Sequence, residues 1–142
     1  MSDKTTKITT EKLTAKYFYG VGRRKTSTAR AKFYEGESEL IIMVNKKPLK
    51  IYFQDYYAKV ITEAASKVGL TSGILHFFIK GGGTMAQSEA ARLAMVKALR
   101  IFDPEYGKSA RTFGFITSDN RNIYPKQAGR RKSRKVEQWS KR

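Results

Sequence analysis

From Thr28 to Phe33 the chain alternates strictly, with Thr28, Arg30 and Lys32 on one parity and Ala29, Ala31 and Phe33 on the other. Successive side chains of an extended backbone point to opposite faces, so this stretch predicts a half-buried strand with the apolar set inward. Tyr17 to Val21, aromatic and β-branched, reads as a short strand before it, with Gly22-Arg23-Arg24-Lys25 as a basic turn. Glu35-Gly36-Glu37-Ser38 has the composition of a hairpin turn, and Leu40 to Val44 forms the next strand, stopped at Asn45 to Pro48. The first third is therefore expected to be an antiparallel meander.

At Phe53 the period changes. Phe53, Tyr56, Tyr57, Val60, Ile61, Ala64 and Val68 recur at helical spacing, while Asp55, Lys59, Glu63 and Lys67 form an opposite-charge ladder every fourth residue. Gly69 closes this helix, since glycine takes the left-handed conformation at low cost. Ile74 to Ile79 is apolar on both parities and predicts a central strand covered on both faces. Gly81-Gly82-Gly83-Thr84 then leads into a helix from about Ala86 to Phe102, with Ala90, Leu93, Ala94, Ala98 and Ile101 as its inner stripe. Asp103-Pro104 suits an N-cap and first helical position for a short helix to about Arg111. This order predicts an α+β fold in two layers, without internal repeat or second domain. The expected organisation is a mobile arm over 1–16, a folded body over 17–120 and an extended basic tail over 121–142.

Charge sharpens the picture. The 142 residues include 29 Lys plus Arg against 12 Asp plus Glu, a net charge of +17. From Arg121 onward stand nine basic residues and one acid, Glu137, so nearly half the excess lies in a segment with no apolar period. Such a segment cannot bury enough surface to offset its ordering entropy, and is expected to stay extended or to order on a polyanion. Arg outnumbers Lys there, and the guanidinium forks onto phosphate and stacks on bases, which favours nucleic acid over a membrane surface. With no Cys and only His76, the chain offers no disulfide, thiol nucleophile or histidine-cluster metal site. No apolar run approaches the roughly 20 residues that span a bilayer. The first sixteen residues lack an apolar core and Arg, and the expected location is the cytoplasm rather than an organelle.

Three segments carry binding chemistry. Arg23, Arg24 and Lys25 at a strand end suit a clamp on nucleic-acid backbone, and a continued strand would put Arg24, Thr26, Thr28, Arg30 and Lys32 on one face. No acid lies between Lys12 and Lys32. Gly81, Gly82 and Gly83 serve either as a sharp strand-to-helix turn or as a phosphate approach at a helix N-terminus. They are not a nucleotide-binding P-loop, because no Lys follows. In the tail, Arg121, Arg130, Arg131, Lys132, Arg134 and Lys135 are phosphate ligands by charge, and Trp139, with little protein to pack against, is placed to stack on a base. His76 is expected to be packed and hydrogen-bonded rather than catalytic. No catalytic constellation, metal site or cofactor site is predicted.

Four segments in order, Tyr19-Gly20-Val21-Gly22-Arg23-Arg24-Lys25-Thr26-Ser27-Thr28-Ala29-Arg30, Ile42 to Leu49, Lys80-Gly81-Gly82-Gly83 and Gln138-Trp139-Ser140-Lys141-Arg142, resemble the family of the ninth small-subunit ribosomal protein in its bacterial and organellar form. The likeness runs from about Tyr17 to Arg142, with Ala86 where a glycine is frequent and Ser118-Asp119-Asn120-Arg121 in place of Arg-Asp-x-Arg. It implies the fold of the second domain of small-subunit ribosomal protein five, including a left-handed βαβ crossover where the general rule would choose the right hand. It also implies a non-enzymatic protein bound to small-subunit rRNA and neighbouring small-subunit proteins, whose Ser140, Lys141 and Arg142 contact peptidyl-site tRNA. The alternative is the protein subunit of a ribonucleoprotein enzyme such as ribonuclease P, whose Arg-Asn-Arg helix motif is not evident at Arg121-Asn122-Ile123.

Overall fold

The computed structural model describes residues 16–36 and 38–141. The expected N-terminal arm, apart from Lys16, lies outside the described residues, as do Glu37 and Arg142. A five-stranded sheet runs in the order β1-β2-β5-β3-β4, built from β1 (Phe18–Arg24), β2 (Ser27–Tyr34), β3 (Leu40–Val44), β4 (Lys47–Pro48) and β5 (Gly73–Lys80). Among the described residues four helices complete the α+β fold: α1 (Leu49–Tyr52), α2 (Asp55–Val68), α3 (Thr84–Phe102) and α4 (Pro104–Thr112).

Two expectations about the first strands are corrected. The chain does not turn at Gly22 to Lys25. Strand β1 continues to Arg24, pairing Arg24 with Ser27, and only Lys25 and Thr26 make the turn, with Lys25 at φ 53°. Nor is the first third a meander, because β3 does not pair with β2. Strand β5 lies between them, antiparallel to β2 and parallel to β3, so Glu35 to Ser38 begins a crossover rather than a hairpin. The real second hairpin joins β3 to β4 through Asn45 and Lys46, both at positive φ (47° and 66°), as a two-residue turn of this kind requires.

The helices form largely where their patterns place them. Helix α2 ends in a Schellman closure: the Gly69 N–H donates to Ser66, the Leu70 N–H donates to Ala65, and Gly69 takes φ 88°. Its buried face is Ala58, Ile61, Ala64, Ala65 and Val68. Tyr56 is 67% exposed rather than inward, and Phe53 is buried ahead of the first turn. Asp55, Lys59, Glu63 and Lys67 share the exposed face without closing to ion-pair distance. In α3 Ile101 is likewise exposed, while Ala90, Ala91, Ala94, Val96, Ala98 and Leu99 are buried. Asp103 caps α4 as expected, its carboxylate accepting from the Glu105 N–H at 2.9 Å.

The sheet residues of the main core cluster come from one parity of the strands: Ala29, Ala31 and Phe33 in β2, Val44 in β3, and Leu75, Phe77 and Ile79 in β5; Tyr34, Met43 and Ile74 on the other parity are buried outside that cluster. Helix α3 lies against the face of the main cluster at unusually close range. A Cβ on Gly20 would stand 2.2 Å from the Ala94 carbonyl, and one on Gly22 2.0 Å from that of Ala90. Gly20 and Gly22 are thus a slot for the Ala90-Ala94-Ala98 edge of α3, with no side chain on either surface to hold the backbones apart.

Candidate nucleic-acid interface

The opposite parity forms the outer face, and the strand registers set its rows. Arg23, Thr28 and Lys80 form one row; Val21, Arg30 and Phe78 the next; Tyr19, Lys32, His76 and Met43 the third. The expected covering of β5 on both faces holds from Ile74 to Phe77 and fails at Phe78: Ile74 and His76 on this parity are buried, whereas Phe78 and, beyond it, Lys80 are exposed. An open concavity at this end is lined by Arg23, Thr26, Thr28, Arg30, Asn45, Phe78, Ile79, Lys80 and Gly81. Two candidate segments more than fifty residues apart in sequence therefore meet in space.

The glycine run is shaped by this meeting. Gly81 and Gly82 take φ 76° and 69°, and a Cβ on each would lie 2.7 Å from the Thr26 carbonyl and the Ser27 side chain respectively. The run packs its backbone on the β1–β2 turn, and its three residues are also exposed at the start of α3. A chain of hydrogen bonds fixes it from the other side. The Asn45 carboxamide continues the sheet beyond β3, accepting from the Ile79 N–H (2.9 Å) and donating to the Ile79 carbonyl (3.0 Å) and the Tyr52 hydroxyl (3.3 Å). Tyr52 donates to Gln87 Oε1 (3.1 Å), and Gln87 Nε2 donates to the Gly81 carbonyl (3.0 Å).

The pleat divides the basic triplet. Arg23 projects on the outer face opposite Thr28. Arg24 falls on the helix side and does not share a face with Thr28, Arg30 and Lys32, because the turn intervenes. Its Nε donates to Glu89 of α3 at 2.7 Å, and its Nη2 lies 3.1 Å from Asp119. Both acids are distant in sequence, so the acid-free stretch from Lys12 to Lys32 did not reveal them. Lys25 stands exposed at the turn.

The same ion pairs anchor the root of the tail. After α4, Gly114 at φ 70° closes the helix as Gly69 closes α2, with the Phe115 N–H donating to Ala110. The returning chain sets the Phe115 ring 5.0 Å from the Arg92 guanidinium. Arg121 then forks onto Asp119, through Nε at 2.9 Å and Nη2 at 2.5 Å to Oδ2. The Arg121 side chain and N–H, with Arg24 nearby, hold the Asp119 carboxyl well below the usual carboxylate range. Beyond Arg121 every described residue except Ser133 is exposed. A single bridge, Arg130 to Val136, closes a small loop carrying Arg131, Lys132, Arg134 and Lys135. Trp139 is 81% exposed, and Ser140 and Lys141 are exposed after it.

His76 is packed as expected, but neither ring nitrogen has a hydrogen-bonding partner among the described residues. Burial first, then the charges of Lys32 and Lys46, pushes its pKa down, which keeps the ring neutral. Phe78 and Lys80 were missed in the sequence because the both-parity apolar run concealed which side of β5 was open. The pairing partners Thr28 and Arg30, already read as outward, carried the signal. Among the described residues no group of three or more His, Asp or Glu could hold a metal ion, and no helix is long and apolar enough to cross a membrane.

Residues 22–142 match the model of the family described as Ribosomal protein S9/S16. That span takes in the outer face from Arg23 onward, the glycine run, the Asp119 anchor and the whole tail. The chain belongs to the ribosomal protein S9 family, and is a structural constituent of the small ribosomal subunit.

Proposed function

We propose that this protein is non-enzymatic and binds small-subunit rRNA and neighbouring small-subunit proteins through the folded body of residues 17–120, while residues 121–142 form a separate tail that ends at peptidyl-site tRNA. The observation that carries this reading is the state of the tail: Lys126, Arg130, Arg131, Lys132, Arg134, Lys135 and Lys141 are exposed and form no ion pair among the described residues. Seven unmatched cations on an exposed segment are the electrostatic footprint of a polyanion partner. The body's contribution is assigned to Arg23, Lys25, Thr26, Thr28, Arg30 and the glycine run, and the tail's to its Arg and Lys residues with Trp139. Twenty-two residues reach at most about 70–75 Å when extended, far enough to act away from the body. Ser140, Lys141 and Arg142 supply a hydroxyl and charge without reading bases, which suits a ligand held irrespective of sequence.

Deleting Ser140 to Arg142 and assembling small subunits with the shortened chain tests the tail assignment. The expected result is faster dissociation of peptidyl-site tRNA from subunits that assemble normally. Unchanged tRNA retention would remove the tRNA role.

A further inference from the structure

The outer face of the sheet holds a feature that charge alone does not explain. Phe78 sits in the central strand, yet its side chain is on the parity opposite the core and is 38% exposed. Burying a large aromatic inward would remove more water-exposed apolar area, and the same strand does so at Phe77. The β2–β5 register places Arg30 directly across from Phe78, within side-chain reach, and Arg23 and Lys80 occupy the adjoining row. None of these three cations forms an ion pair among the described residues, and no carboxylate lines the concavity. The ring is braced from below by His76, with centroids 4.4 Å apart, and Lys32 Nζ stands 5.8 Å from its centroid.

An exposed aromatic surrounded by unmatched cations can satisfy a base and its phosphates together. We propose that this concavity is a site for an unpaired RNA nucleotide, its base stacked on Phe78 and its flanking phosphates held by Arg23, Arg30 and Lys80. The proposal rests on the rRNA-binding reading above and narrows it to single-stranded RNA at this face. A paired base cannot offer its ring to a sheet, because in an A-form helix the base faces are occupied by stacking and only groove edges, riboses and phosphates are exposed. An acidic protein segment would satisfy the cations but gain nothing from the ring's flat face. The fixed neighbours of Phe78 also limit the ordering cost of stacking, since β5 is hydrogen-bonded on both sides.

The test uses the full chain carrying Trp139→Ala, so that the tail's indole does not interfere, and a single-stranded RNA oligomer with one 2-aminopurine, against a blunt duplex of equal length. The expected result is quenching of 2-aminopurine on binding. Phe78→Leu, which preserves apolar bulk, is expected to abolish the quenching and weaken single-strand affinity roughly tenfold. Phe78→Trp retains both, duplex affinity does not change, and thermal melting confirms that each variant is folded. Undiminished quenching and affinity in a folded Phe78→Leu chain would overturn the stacking site while leaving rRNA binding intact. Failure of the parent chain to bind either RNA would instead defeat the underlying rRNA-binding reading.

Discussion

Arg23 and Arg24 are neighbours in the chain and end on opposite sides of one sheet. On the helix side, Gly20, Gly22, Ala29 and Ala31 let α3 approach closely, and the Arg24 guanidinium is claimed by Glu89 and Asp119. On the outer side the same strands present Arg23, Thr28 and Arg30, with Phe78 and Lys80 beside them and no carboxylate among them. The difference teaches that a basic run on a strand is two populations of charge separated by parity. Arg24 is consumed in holding the fold together, whereas Arg23 forms no ion pair among the described residues. Counting positive charges along the sequence gives the total and hides this division.

The comparison can be broken at its closest contact. Gly22→Val would drive a side chain into the Ala90 carbonyl of α3, where neither partner is a flexible side chain that could yield. We expect a loss of at least about 3 kcal/mol, seen as a melting temperature lower by roughly 10 °C. Thr28→Val, on the outer parity of the adjacent strand, is expected to change stability by no more than about 0.5 kcal/mol. Equal effects at the two positions would show that the faces are not distinct in packing.

A smaller effect sharpens the boundary between the faces. His76 belongs to the outer parity yet is buried, and burial together with Lys32 and Lys46 lowers its pKa. The unfolded chain takes up this proton near the ordinary value of about 6.5, whereas the folded chain takes it up only at lower pH. Stability from this group is therefore complete above about 6.5 and declines as pH falls toward the lowered folded value. Between pH 7.5 and pH 5 the melting temperature of the parent should fall further than that of His76→Leu, by on the order of 1–3 °C. Equal falls would mean that His76 is already open to water.

Much of the body was legible because single-parity and helical patterns are local. The alternation of β2, the cap at Asp103 and the glycine closure at Gly69 depend on residues within a few positions, and the structure places each where the pattern does. What could not be read was set by partners distant in sequence. Insertion of β5 between β2 and β3 turned the expected hairpin at Glu35 to Ser38 into a crossover, and nothing within either strand specifies its neighbour. Arg24 looked free because Glu89 and Asp119 lie 65 and 95 positions away. The role of Gly20 and Gly22 as a slot needed the Ala90-Ala94-Ala98 edge beside them. Asn45 read as a strand stop, while its carboxamide extends the sheet by standing in for a peptide group.

The central claim is that Arg24 serves the fold and Arg23 serves the ligand, and one paired measurement tests it: thermal melting and the salt dependence of RNA affinity for Arg23→Ala and Arg24→Ala, side by side. Arg23→Ala should melt as the parent does, with its plot of log affinity against log salt shallower by roughly one unit of slope. Arg24→Ala should leave Glu89 and Asp119 without their shared partner and lose roughly 1–2 kcal/mol of stability, with the salt slope unchanged while folded. The reverse assignment, or an equal loss of slope in both variants, would contradict the division of the two faces.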